Sequence, residues 1–203
     1  IMNLKKTLLL SALFMSVNAY AGTEQSSVEV GTYVGGGIEK SASIRFQSDS
    51  SGGGYTFLEA KTESYGIYES NAFAFGLGIK DTVDTDMFFT ELYLDAGYIF
   101  ENITADEAPQ VPVDPLDPTQ GTEPAYDDNI KHRGFIYAIG SETFLKSYSD
   151  VGFLFEVKHY GSSQVLQTDT LIGAGFSYKY DDFKIKAKYY KEGWGQLTVS
   201  YYY

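Results

Sequence analysis

The sequence predicts an all-β fold: one antiparallel transmembrane β-barrel of ten strands, with eight strands as the alternative count. Three observations predict it. Apolar and polar residues alternate with a period of two along most of the chain after residue 21, the pattern of strands whose two faces meet different surroundings. Tyr (18), Phe (14) and Gly (21) are abundant, which suits strands facing lipid on one side and a crowded interior on the other. No stretch beyond residue 21 approaches the roughly 18 consecutive apolar residues of a spanning helix.

The first segment reads as a targeting signal. Lys5 and Lys6 form a short positive region, an apolar run follows from Leu8 to Val17, and Ala19-Tyr20-Ala21 places small residues at the two positions a signal peptidase reads. Cleavage is expected between Ala21 and Gly22, leaving 22–203 as one domain. The apolar run is too short to serve comfortably as a membrane anchor.

Ten strands follow, near 27–38, 41–49, 54–67, 70–80, 87–101, 131–144, 149–160, 169–180, 182–191 and 194–203. Phe73, Phe75, Leu77 and Ile79 alternate with Ala72, Ala74, Gly76 and Gly78. Thr90, Leu92, Leu94, Ala96, Tyr98 and Phe100 alternate with Glu91, Tyr93, Asp95, Gly97 and Glu101. Phe183, Ile185, Ala187 and Tyr189 alternate with Lys184, Lys186, Lys188 and Tyr190. The Gly-rich stretch 38–69 blurs its turns, and eight strands result if it folds otherwise.

A magnitude decides which face meets lipid. One Lys on the lipid face at the bilayer midplane costs about 2–4 kcal/mol, so Lys184, Lys186 and Lys188 together would cost about 6–12 kcal/mol. That rivals the whole stability of a domain, about 5–15 kcal/mol. The lysines must look inward, and Phe183, Ile185, Ala187 and Tyr189 outward. Applied to every strand, this rule collects a lumen charge cluster of Arg45, Glu59, Lys61, Glu91, Asp95, Glu142, Glu156, Lys158, Lys179, Lys184, Lys186 and Lys188. Inward positions are otherwise rich in Gly, Ala and Ser, as a narrow barrel requires.

The connections at Ser50–Gly53, 81–86, 145–148 and 181–182 are short. Those near 39–40, 68–69, 102–130, 161–168 and 192–193 lie at the other end. Segment 102–130 holds all five Pro and seven of the 27 acids, so it cannot pair in a sheet and reads as a long acidic loop. Its Asp114-x-x-Asp117 spacing lacks the glycine and stepped ligands of a calcium loop, and no metal or cofactor is expected. A net charge of -12 argues against nucleic acid as a partner. The absence of Cys excludes disulfides, thiolate metal sites and a thiol nucleophile.

The last strand ends in an outward series, Leu197, Val199, Tyr201 and Tyr203, finishing on an aromatic residue. This resembles the insertion signal of Gram-negative outer-membrane barrels. The region 27–203 resembles the small outer-membrane β-barrel or porin-like families in size, Tyr/Gly content and hairpin rhythm. The resemblance implies Sec-dependent export, escort by periplasmic chaperones, insertion by the barrel-assembly machinery, and a monomer surrounded by outer-membrane lipid and lipopolysaccharide. It also puts the short turns in the periplasm and the long loop outside the cell.

Opposite charges enclosed in a narrow lumen should pair, because an unpaired one is costly. The expected function is therefore a structural, envelope-integrity or adhesion role with a largely plugged lumen. The alternatives are a narrow porin-like channel and a lipid-modifying enzyme. For enzymes the chain offers only His132 and His159. His159-Tyr160-Gly161-Ser162 is similar to the His-x-Ser of lipid A deacylases, with the spacing longer by one and the imidazole facing outward, so no catalysis is expected. Trp194, between Gly193 and Gly195, reads as an anchor at the membrane interface.

Overall fold

A computed structural model describes residues 26–50, 52–105, 129–160, 170–191 and 193–203. The signal segment 1–21, with Ala19, Ala21 and Gly22, and the core of the acidic loop lie outside the described residues. Ten antiparallel strands close into one barrel: β1 (Ser27–Gly35), β2 (Lys40–Asp49), β3 (Gly54–Tyr65), β4 (Tyr68–Asp84), β5 (Phe88–Ala105), β6 (Asn129–Leu145), β7 (Tyr148–Tyr160), β8 (Thr170–Tyr180), β9 (Phe183–Tyr190) and β10 (Trp194–Tyr202). Each strand pairs with its sequence neighbours, and β10 returns to β1 from Ser27↔Tyr202 to Gly35↔Trp194. Closure leaves no free sheet edge around the wall, the condition for strands to cross a bilayer.

The eight-strand alternative is excluded by β2 and β3, which pair without interruption from Lys40↔Ser64 to Asp49↔Tyr55. Several boundaries differ from expectation: β1 and β3 end at Gly35 and Tyr65 rather than at 38 and 67, and other strands run on further. β4 runs to Asp84 rather than ending at residue 80, because Lys80–Asp84 pair with Phe89–Tyr93. β5 and β6 extend into the expected loop: Asn102 is flanked by Asn71 and Lys131, and Thr104 pairs with Asn129. Neither extension shows in the hydrophobic pattern, because both are polar or mixed while their backbone ladder continues.

The short turns use the residues that tight hairpins require. Asp181 is the one non-glycine residue with positive φ among the described residues (51°), in the two-residue turn before β9. Asp tolerates this conformation, and the twist of the flanking strands demands it. Gly66 (φ 56°) plays the same part between β3 and β4.

The wall sorts its side chains as the lysine estimate requires. Phe75, Leu77, Ile79, Phe135, Tyr137, Ile139, Phe153, Phe155, Phe176, Ile185 and Tyr189 are exposed on the outside, while Glu59, Lys61, Asp95, Glu142, Glu156, Lys158 and Lys184 are buried inside. An apolar exterior around a charged interior is the geometry of a membrane-spanning barrel.

Inward glycines have a second use. The rings of Tyr55 and Tyr93 lie on the bare backbone of Gly78 and Gly140, where a Cβ would overlap the ring. The small inward positions thus make room for large inward aromatics from neighbouring strands.

Candidate functional site

The lumen is filled by ion pairs that cross between strands. Arg45 on β2 donates to Asp95 on β5 (2.8 Å), lies 3.5 Å from Glu59 on β3, and stacks over the Phe57 ring at 4.2 Å. The phenol of Tyr55 donates to the other oxygen of Asp95. Lys158 on β7 approaches Glu59 at 3.6 Å.

Glu156 is a hub. Its Oε1 accepts from Lys188 Nζ (2.9 Å) and Tyr190 OH (2.7 Å), and its Oε2 accepts from Tyr93 OH (2.5 Å). Toward the short-turn end, Lys184 donates to Glu142 (2.8 Å), which also accepts from Ser177. Lys186 donates to Glu29 (2.6 Å), which also accepts from Ser200 (2.9 Å). Nearer the opposite end, Lys61 pairs with Glu63 at 3.0 Å. Each buried carboxylate in this set has a cation and at least one neutral donor or second cation, the condition under which buried charge is tolerable.

A cavity of about 160 Å³ remains among these pairs, lined by Arg45, Glu156, Lys158, Lys186 and Gln196 and reaching the short-turn end past Ser27, Lys80 and Glu91. At the other end it is covered by aromatics. Trp194 stacks on Tyr190 (centroids 4.3 Å apart) and meets Tyr33 edge-on at 5.0 Å. Gln196 ties this cover to the charged layer, its Nε2 donating to Tyr33 OH (3.1 Å). Among the described residues the lumen is therefore asymmetric: partly open at the short-turn end, and covered by stacked aromatics beside the Lys61–Glu63 pair where β10 begins.

Of the twelve expected cluster residues, eleven line the lumen. Glu91 sits at its mouth with 41% of its side chain exposed, 3.9 Å from Lys184. Lys179 is a correction. It has inward parity, but it lies one residue from the end of β8, is exposed, and makes no ion pair among the described residues. Trp194 is the second correction: it is 4% exposed and points inward rather than to the interface. Its position in β10 explains this, since it shares parity with Gln196, Thr198 and Ser200 and not with Leu197, Val199 and Tyr201. The latter three and Tyr203 face outward and are exposed, with Tyr201 packed on Phe183 at 5.0 Å.

Sequence reasoning placed Tyr93, Glu101 and Tyr190 on inward faces but missed Glu29, Asp49, Glu63 and Lys80, and the inward tyrosines Tyr33, Tyr55 and Tyr160. Glu29 was readable from its parity against Val28 and Val30. Tyr33, Tyr55 and Tyr160 carry no such signal in composition, because a phenol suits an interface as well as a carboxylate partner.

His159 faces outward, stacked on Tyr137 (6.3 Å) with Nδ1 3.0 Å from Thr170 Oγ1. Ser162, the partner its motif would need, lies outside the described residues. His132 has a buried Nε2 with no hydrogen-bond partner among the described residues. No cluster of three or more metal-ligating side chains occurs among the described residues.

No family model and no curated protein sequence matches the chain. Among solved structures it is similar to the KdgM porin, at 12% identity over 86% of this chain and 98% of that one, with a TM-score of 0.44. It is also similar to the N-terminal β-barrel domain of Pseudomonas aeruginosa OprF (9% identity, 88% and 97% covered, TM-score 0.39). A third is Ail, the attachment invasion locus protein of Yersinia pestis (10% identity, 88% and 98% covered, TM-score 0.33). At such identities, function has to be read from this chain's own geometry.

Proposed function

We propose that the chain is a monomeric integral barrel of the Gram-negative outer membrane with a structural, envelope-integrity or adhesion-type role, and that it neither conducts nor catalyses. The observation that carries this reading is the cover of Trp194, Tyr190 and Tyr33 over an ion-paired lumen whose remaining cavity is about 160 Å³. A solute crossing the barrel would have to displace stacked rings and break several enclosed ion pairs in sequence. With the lumen closed, the outward wall and the two ends are the surfaces left for function. The short turns belong to the periplasm and the acidic loop to the cell exterior. Export by the Sec pathway, chaperone escort and insertion by the barrel-assembly machinery belong to the same proposal.

Conductance in planar bilayers tests it. The purified chain is expected to give a folded, heat-modifiable band on gels and no discrete openings in potassium chloride. Regular unitary openings would overturn the plugged reading in favour of a narrow channel. Altered lipid A on expression, abolished by His159→Ala, would instead favour an enzyme.

A further inference from the structure

The outer wall carries an apolar groove of about 750 Å³ across β2 to β6. The strand register shows why it is there. One outward row runs Phe46↔Leu58↔Phe75↔Tyr98↔Phe135, and the next runs Ser48↔Thr56↔Leu77↔Ala96↔Tyr137. The first row is bulky throughout, whereas the second drops to Ser, Thr and Ala at three of its five positions. A trough follows that second row. Four steps between adjacent strands make it about 19 Å long at ~4.8 Å per step; because strands in such barrels tilt by about 40°, the row runs obliquely around the wall and climbs only part of a leaflet.

The strand at the trough's far end, β6, also carries a pair of outward cations beyond Phe135. Going up β6 from Tyr137, the outward positions are Phe135, Arg133 and Lys131, and the last two are exposed. Their outward neighbours on β5 and β4 are uncharged: Phe100 and Phe73 beside Arg133, Asn102 and Asn71 beside Lys131. The Arg133 guanidinium lies over the Phe100 ring at 5.8 Å. Asn102 Oδ1 is buried without a partner among the described residues. A cation on the lipid face costs about 2–4 kcal/mol at the midplane but only about 0–1 near the interface. Two in succession therefore mark the headgroup level on the side of the long loop.

We propose that this wall holds one anionic, phosphate-bearing membrane lipid, with an acyl chain in the Ala96 trough and its phosphate against Arg133 and Lys131. The trough supplies shape for a chain, and the two cations beyond Phe135 supply the complementary charge. Arg133 can grip a phosphate with two parallel N–H donors. The inference rests on the membrane-barrel reading above and names the partner of its outer wall.

The test is native mass spectrometry of the full chain released from nanodiscs of phosphatidylglycerol and phosphatidylcholine in equal amounts. Wild type is expected to keep one phosphatidylglycerol over phosphatidylcholine by at least about five-fold. Lys131→Gln with Arg133→Gln should bring that ratio to about one without reducing total bound lipid, because the trough is intact. Ala96→Leu, which fills the trough from an exposed position, should reduce retention of both lipids. Added inorganic phosphate should not displace the lipid; displacement would show a bare anion site and overturn the acyl-chain half. Unchanged preference in the double glutamine variant, or unchanged retention in Ala96→Leu, would overturn the proposal. Heat-modifiable migration of each variant separates the outcomes. If it persists without lipid preference, only this inference falls; if wild type lacks it, the membrane-barrel reading falls.

Discussion

Replacing Glu156 by Gln removes one negative charge from the lumen while keeping the side chain's shape. The carboxylate accepts from Lys188, Tyr190 and Tyr93 at 2.9, 2.7 and 2.5 Å. Lys188 has no other carboxylate within 4.0 Å among the described residues, and the side chains of the pair are 11% and 9% exposed. At this burial the cost of an exposed pair, about 0–1 kcal/mol, does not apply. Stranding one partner of a buried pair costs about 3–5 kcal/mol. The adjacent cavity can admit water to the Lys188 ammonium, so the loss should fall near the lower end, at about 3 kcal/mol. Adding Lys188→Met removes the stranded charge, so the double variant should be more stable than Glu156→Gln alone. Trp194, the one tryptophan of the chain, reports on the same neighbourhood through its stack on Tyr190. The assay is therefore equilibrium urea unfolding in lipid vesicles followed by tryptophan fluorescence. Glu156→Gln within about 0.5 kcal/mol of wild type would refute the reasoning, since that is the range of an ordinary surface substitution. A double variant less stable than the single one would refute it equally.

Three further outcomes follow from the sorting of the wall and the fit of the rings. Ile139→Lys, on an outward position 57% exposed, should cost about 2–4 kcal/mol in the same unfolding assay. Lys179→Ala, at the exposed end of β8, should stay within about 0.5 kcal/mol. Gly140→Val should destabilise by about 1–3 kcal/mol by overpacking, because its Cβ would overlap the Tyr93 ring. Near-ultraviolet circular dichroism would report the displaced ring, and an unchanged spectrum would contradict the packing described.

Strand number, wall orientation and most lumen charges were legible because a period of two is strict: a one-residue error inverts every side chain. Lys184, Lys186 and Lys188 alone determine the orientation of β9, and the ladder carries that choice around the barrel. Lys179 failed because parity says which way a side chain points and nothing about how far along the barrel it sits. Trp194 failed for another reason. Its inward placement depends on the ring of Tyr190 and the slot beside Tyr33, which come from the neighbouring strands β9 and β1. Composition reports that glycines and tyrosines are plentiful, but only register brings one over the other.

The ladder between β1 and β2 is the shortest in the barrel, five pairs from Ser27↔Gln47 to Gly31↔Ser43. Beyond it the hydroxyl of Ser41 accepts from the Tyr33 N–H (2.5 Å) and donates to the Tyr33 carbonyl (2.9 Å), standing in for main chain. The joint made last in the chain, between β1 and β10, is stitched over nine pairs. A cylinder fails along its thinnest weld, and here that weld is not the one joining the two ends of the polypeptide. Local opening concentrates where backbone hydrogen bonds are fewest. Any sideways parting of the staves would therefore begin next to the first strand, on the flank away from the last.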